Sequence, residues 1–201
     1  MERLIKLSKV CDISAGLVLR RKEAQTKSEI IKTYKLITLK SLEDDGWVNS
    51  EYLDDYNSFE LLDDRYLTKE NDILIRLSSP YTAIKVKAEQ VGFVIPSLFA
   101  IIRLNKKDID SGYLSFVLNS DTIKKSYFKN AMGITIPVVR MQTIRETQIP
   151  MVSTTKQQII SKINDLMIRE KRLHQQLTLE KEVYNKELTK RIIKGGNKNA
   201  K

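Results

Sequence analysis

Residues 148–165 read QIPMVSTTKQQIISKIND, and the chain changes character inside them. Upstream lie short apolar runs broken by turn residues; downstream no Pro or Gly occurs until Gly195. Thr154 with Gln157, and Thr155 with Gln158, each fit the Ser/Thr-x-x-Glu/Gln capping box. In that box the hydroxyl accepts from an orphan N–H of the first turn and the glutamine reaches back. Apolar positions then fall at Ile159, Ile163, Leu166, Leu173, Leu177, Tyr184, Leu188 and Ile192, a heptad-like stripe interrupted at Glu170 and Glu180. A helix over about Lys156 to Ile193 would be ~57 Å long at 1.5 Å per residue. Such a helix cannot bury its stripe against a small domain along its whole length, so it calls for a second helix. The expected partner is a second copy of the chain.

The charges divide in the same place. Residues 151–201 hold 12 Lys or Arg against 5 Asp or Glu, whereas residues 1–150 hold 23 against 20. Within the first part, Glu43 to Asp72 concentrates 11 acids against Arg65 and Lys69, so the remainder of the chain is strongly basic. A net charge of +10 favours a polyanionic partner, nucleic acid before a membrane surface. The one cysteine, Cys11, sits between alternating apolar residues, excludes an internal disulfide and fits a reducing compartment. No leader peptide and no apolar run near the ~20 residues of a membrane span is visible, so the expected location is cytoplasmic.

Upstream of the joint the pattern predicts an α+β domain with twisted strands. KLSKVCDISAG reads as a strand ending at Gly16, and DILIRL, AIKVK, FVIP and SLFAIIRL read as further strands. SGYLSFVLNSDTIKKSYFKNAM keeps apolar residues at Tyr113, Phe116, Val117, Ile123, Tyr127 and Phe128, a helical spacing. The expected division is a globular domain over residues 1–152, a helical spacer over 153–194 and a disordered basic tail over 195–201.

Catalytic chemistry leaves no constellation. One His (His174) and one Cys cannot assemble a usual zinc site, the seven glycines form no phosphate loop, and no Gly-x-Ser-x-Gly occurs. The pairs Asp44-Asp45, Asp54-Asp55 and Asp63-Asp64 lack nuclease-like spacing and read as solvated surface, so no metal or catalytic residue is expected. Three loops instead carry residue types that hold phosphates and read base edges. They are Arg20, Arg21 and Lys22; then Arg76, Ser78, Ser79, Tyr81 and Lys85 around Pro80; then Lys129, Asn130, Arg140 and Gln142. An ordinary hydrophilic connection is the bland reading of each loop alone. A coiled-coil protein adaptor without DNA binding is the first alternative for the whole chain, and a Mg2+-dependent nuclease using the Asp pairs ranks far below it.

The order of segments resembles the specificity subunits of type I restriction–modification systems, as one target recognition domain followed by one helical spacer. The resemblance is carried by KLSKVCDISAG, by YLTKENDILIRL around Asp72-Ile73-Leu74-Ile75, and by VIPSLFAIIRLNKKDIDSGYLSFVLNS. The exit MGITIPVVRMQTIRETQIPMVSTTKQQIISKI completes it, with IPMVS where IPLPP is common in the family. Complete subunits carry two such halves, so the chain resembles the short half-subunit form and also the partial genes that serve as recombination donors. The resemblance implies a non-catalytic reader of a duplex half-site, paired antiparallel with its copy through Ile159, Ile163, Leu166, Leu173, Leu177, Tyr184 and Leu188. It also implies docked methyltransferase subunits and a restriction subunit, with S-adenosylmethionine, ATP and Mg2+ on those partners and no cofactor on this chain.

Overall fold

The computed structural model describes residues 3–105, 108–133 and 135–196. The chain divides into two units, Met1–Asn164 and Asp165–Lys201. Among the described residues the strands are β1 (Arg3–Lys6), β2 (Cys11–Ala15), β3 (Lys32–Leu36), β4 (Leu42–Glu43), β5 (Trp47–Val48), β6 (Asp54–Ser58), β7 (Ile73–Arg76), β8 (Ala83–Lys85), β9 (Phe99–Leu104) and β10 (Gln148–Met151). The helices are α1 (Ser111–Leu118), α2 (Asp121–Asn130), α3 (Met141–Glu146) and α4 (Thr154–Gly196). The α+β class and the long C-terminal helix are as the sequence predicts.

The centre of the first unit is a four-stranded antiparallel sheet in the order β2-β9-β7-β8. Side chains alternate across a sheet, and here both faces are covered. Ile73, Ile75, Ala100 and Ile102 pack with Tyr113, Leu114, Val117, Tyr127 and Ile144 of α1–α3. Leu74, Ile84 and Ile101 point the other way, onto Ile37, Leu42, Val48 and Ile95. Burial on both faces is why ILIR and FAIIR are apolar runs rather than alternating patterns. A separate ribbon, β3 with β6, covers Leu17, Leu62 and Val94 with Tyr34, Leu36 and Tyr56.

Several expected segments divide differently. KLSKVCDISAG forms not one strand but the end of β1, a 3-10 turn over Leu7–Lys9 and then β2; β1 pairs with β10 at the far end of the domain. FVIP makes only isolated bridges, Val94 to Leu36 and Leu67, and Pro96 to Leu17. The expected helix over 111–132 is two helices. The break falls at Ser120, which is extended at ψ 146°. Just before it the Asn119 amide accepts from Ala83 N–H at 3.0 Å and donates to Ala83 C=O at 2.7 Å, anchoring the end of α1 to β8. Phe116 and Phe128, on the expected apolar face, are exposed.

The first turns of α4 belong to the globular unit, since Gln157, Ile160 and Ser161 turn inward and the unit extends to Asn164. Gly195 and Gly196 lie inside α4 rather than in a tail, and 197–201 fall outside the described residues. No described helix is long and apolar enough to cross a membrane.

A polar pin crosses the same domain. Asp72 is buried at the start of β7 and accepts from Lys69 N–H at 2.9 Å and from Arg103 Nε at 3.1 Å. Arg103 also donates to Leu67 C=O at 2.6 Å, so one guanidinium ties β9 to the turn before β7. Burial pushes the Asp72 carboxyl above the ordinary carboxylate range, against the lowering pull of the Lys69 N–H and Arg103.

Candidate nucleic-acid interface

In an antiparallel sheet the end of one strand lies beside the start of the next. The C-terminal ends of β2 and β7 and the N-terminal ends of β8 and β9 therefore share one rim. The turns on that rim are linked by main-chain hydrogen bonds. Leu17 N–H donates to Ile95 C=O and Ser97 N–H to Leu17 C=O, both at 2.7 Å. Leu77 N–H donates to Leu98 C=O at 3.0 Å, and Val139 N–H to Leu77 C=O at 2.8 Å. Ser78 forms a bridge with Val138, and Met132 and Val138 exchange N–H···O bonds at 3.0 and 2.9 Å. The three loops singled out in the sequence thus meet, joined by the turn at 96–98.

Residues 16–22, 76–82, 94–99 and 128–142 together hold six Lys or Arg and no Asp or Glu, so these stretches carry a net positive charge. Arg20 and Arg21 are exposed on a 3-10 turn, Leu19–Arg21. Arg76 is half-buried and its Nε donates to Ser78 Oγ at 3.2 Å, while Ser79 is exposed. Lys129, Asn130, Arg140 and Gln142 are exposed; Gln142 donates to Glu146 at 2.6 Å. Three of the named residues do not fit a free binding surface. Lys22 is paired with Glu60 of the acidic segment, which therefore abuts the rim instead of lying clear of it. Tyr81 is buried: its backbone turns at φ +59° after a cis Ser79-Pro80 bond, and its ring packs edge-on against Tyr127. Lys85 stands across from Ile73, at the opposite end of the sheet.

That opposite end holds the joint. Gln157 is almost wholly buried, and its side chain does not complete a capping box. Its Oε1 accepts from Asp110 N–H at 2.9 Å, and its Nε2 donates to Asp108 and Val152 carbonyls, each at 3.0 Å. Gly112 of α1 sits against Ser161, where a Cβ would come within 2.0 Å of the hydroxyl. Ile159, Ile163, Leu166, Leu173, Leu177, Tyr184 and Leu188, the expected pairing stripe, are all exposed. The sequence reading missed the buried role of Gln157 and the exposed apolar side chains on the rim. The absence of acids from 94–99 and 128–142 was the signal within reach.

Two of the Asp pairs have structural partners: Asp63 accepts from Arg65 N–H at 2.9 Å, and Asp55 pairs with Lys35 of β3 at 2.7 Å. Cys11 is buried, donates to Leu7 C=O, and is pushed up to about 12 by burial first and the Asp12 charge second. That keeps the thiol protonated and structural.

Residues 4–182 match the model of the type I restriction modification DNA specificity domain. No curated protein matches the chain. Among solved structures, a chain from the work on complex assembly and conformational transition of the type I R-M system superposes with a TM-score of 0.63 at 18% identity, covering 86% of this chain and 44% of that one. The HsdS subunit from Thermoanaerobacter tengcongensis gives 0.62 at 16% identity, with 86% and 44% covered. The S subunit of the type I restriction–modification system from M. genitalium gives 0.54 at 17%, with 89% and 41% covered. The chain thus spans less than half the length of the solved subunits, and the likeness to them is one of fold. The matched model runs from β1 well into α4 and takes in every rim loop, and on that extent the chain belongs to the family of type I restriction modification DNA specificity domains.

Proposed function

We propose that the chain is a non-catalytic DNA sequence-specificity subunit whose basic rim reads a half-site in duplex DNA. One observation carries the reading: basic stretches distant in sequence, 16–22, 76–82 and 128–142, none holding a carboxylate of its own, are gathered at one end of the sheet. Exposed arginines and lysines there neutralise phosphates, and Ser78, Ser79, Asn130 and Gln142 supply the polar groups that meet base edges. Methyltransferase subunits, and a restriction subunit beyond them, dock on this frame in the cytoplasm. S-adenosylmethionine, ATP and Mg2+ belong to those partners.

The full chain with its methyltransferase partner, titrated on duplex DNA at rising salt, tests the reading. Five exposed or half-exposed rim cations (Arg20, Arg21, Arg76, Lys129, Arg140) should give a slope of log K against log salt of about −4.5. Arg20→Glu with Arg21→Glu should flatten it by about two. Absence of retention at low salt, with and without the partner, would sink the reading.

The exposed stripe from Ile159 to Leu188 supports antiparallel pairing of α4 with a second copy, because an apolar seam of this length is unfavourable in water. The two-fold dimer would read inverted half-sites at a spacing set by the helix. Sedimentation equilibrium at micromolar concentration should return twice the chain mass; a monomer would rule self-pairing out.

A further inference from the structure

We propose that the rim recognises thymine methyl groups, through the exposed apolar side chains of Leu98, Ile136 and Val138 with Val18 and Met132 beside them. The inference rests on the reading of the rim as a DNA interface and names what its uncharged part contacts. The exposures are 44% for Val18, 51% for Leu98, 55% for Met132, 66% for Ile136 and 39% for Val138, so these side chains stand in solvent while the core behind them is closed. They are not scattered. The main-chain bonds that link Leu17 to Ser97, Leu98 to Leu77, and Val138 to Met132 set them along one line of turns. Gly133 takes φ +126°, and a Cβ there would come within 2.8 Å of Ile136 C=O, so this close approach requires glycine.

Several large apolar side chains exposed on neighbouring turns form a contact surface awaiting its partner. What flanks it decides the partner's chemistry. Arg20, Arg21, Arg76, Lys129 and Arg140 lie in the same stretches, and no carboxylate does. Glu60 takes up Lys22 and Glu146 accepts from Gln142. The five remaining cations leave a net positive border, which suits the phosphate rows on either side of a groove better than a protein partner of mixed charge. In the major groove thymine is the base that presents a methyl group, and an apolar side chain set against it gains burial. Set against the donors and acceptors of the other bases, the same side chain would leave polar edges unpaired. Arginines on the phosphates would fix the register, and the ridge would favour T·A pairs at the positions beneath it.

The test uses the full chain with its methyltransferase partner and a duplex selected by that complex from a random pool. The selected duplex is made twice, once with thymine and once with deoxyuridine, which lacks only the methyl group. Wild-type binding should weaken by about three- to fivefold for each thymine contacted. The Ile136→Ser, Leu98→Ala double variant should bind both forms alike and keep the wild-type melting temperature, because both side chains are exposed. Equal wild-type binding of the two duplexes would overturn the proposal and leave the DNA reading standing. Unchanged methyl sensitivity in the double variant would also overturn it. So would a variant that binds DNA normally but no longer holds the methyltransferase, which would make the ridge a protein dock. Failure of the wild-type complex to retain any duplex would overturn both readings.

Discussion

Gly16→Ala should lower the stability of the domain by about 3 kcal/mol or more, above the usual range for an overpacked site. At Gly16 a Cβ would lie 2.2 Å from the Pro96 carbonyl oxygen and 2.4 Å from that of Ile95. Both obstacles are main chain, so no rotamer change relieves them. The two segments cannot part, because Gly16 N–H donates to Phe99 C=O at 3.1 Å and Leu17 N–H to Ile95 C=O at 2.7 Å. Movement there would cost the hydrogen bonds that seat Val18, Arg20 and Arg21 on the rim. For a chain of this size the melting temperature should fall by roughly 6–12 °C. Gly92→Ala is the control. Its φ of +86° is strained for alanine, but nothing lies within 4 Å, so about 1 kcal/mol is expected. Equal melting of the two variants would show that the approach of Gly16 to residues 95–96 is not as tight as the structure has it.

Gly16 also marks what could be read in advance. The glycine ending an apolar run was visible, but its reason, a carbonyl from a segment 80 residues away, was not. Legibility followed burial geometry throughout. ILIR and FAIIR stood out because both faces of β7 and β9 are covered, and α4 stood out because its stripe repeats for many turns. The six residues of α3 are too short for a period to show, and Arg140 offers no side-chain cap to announce them. The pairing of β1 with β10 links the two ends of the domain, which local pattern cannot express. For the candidate site, residue types in loops gave the charges but not their directions. Lys85 lies one strand length from Ser79, yet strand direction puts it on the wrong end of the sheet. Tyr81 follows a proline in a polar loop and looked exposed, but its positive φ turns the ring into the core.

Gln157→Leu should cost about 3 kcal/mol, although leucine is helix-favouring, apolar and close in size. Three main-chain groups depend on the amide: Asp110 N–H, Asp108 C=O and Val152 C=O. An orphaned buried polar group costs about 1–3 kcal/mol, and groups that regain water would set the total below the simple sum. Gln157→Glu separates hydrogen bonding from packing. One carboxylate oxygen still accepts from Asp110 N–H, but the other faces two carbonyl oxygens. Only the protonated acid can donate there, so the folded-state pKa must rise above the ordinary ~4.3. The sign follows: the deficit against wild type is least below the unfolded pKa and grows as pH rises towards the folded one, then levels off. Chemical denaturation at acid and neutral pH checks this, and a deficit independent of pH would refute the assigned bonds. A wrong joint should also show in function. These bonds seat the first turns of α4 on the domain, while the rim loops lie at the other end of the sheet. In the proposed dimer, loosening them should leave base preference within a half-site unchanged. The ability to reject half-sites spaced one base pair too close or too far should weaken. Methylation of duplexes with stepped spacers by the reconstituted complex separates the two effects, because a merely unstable variant would lose both together.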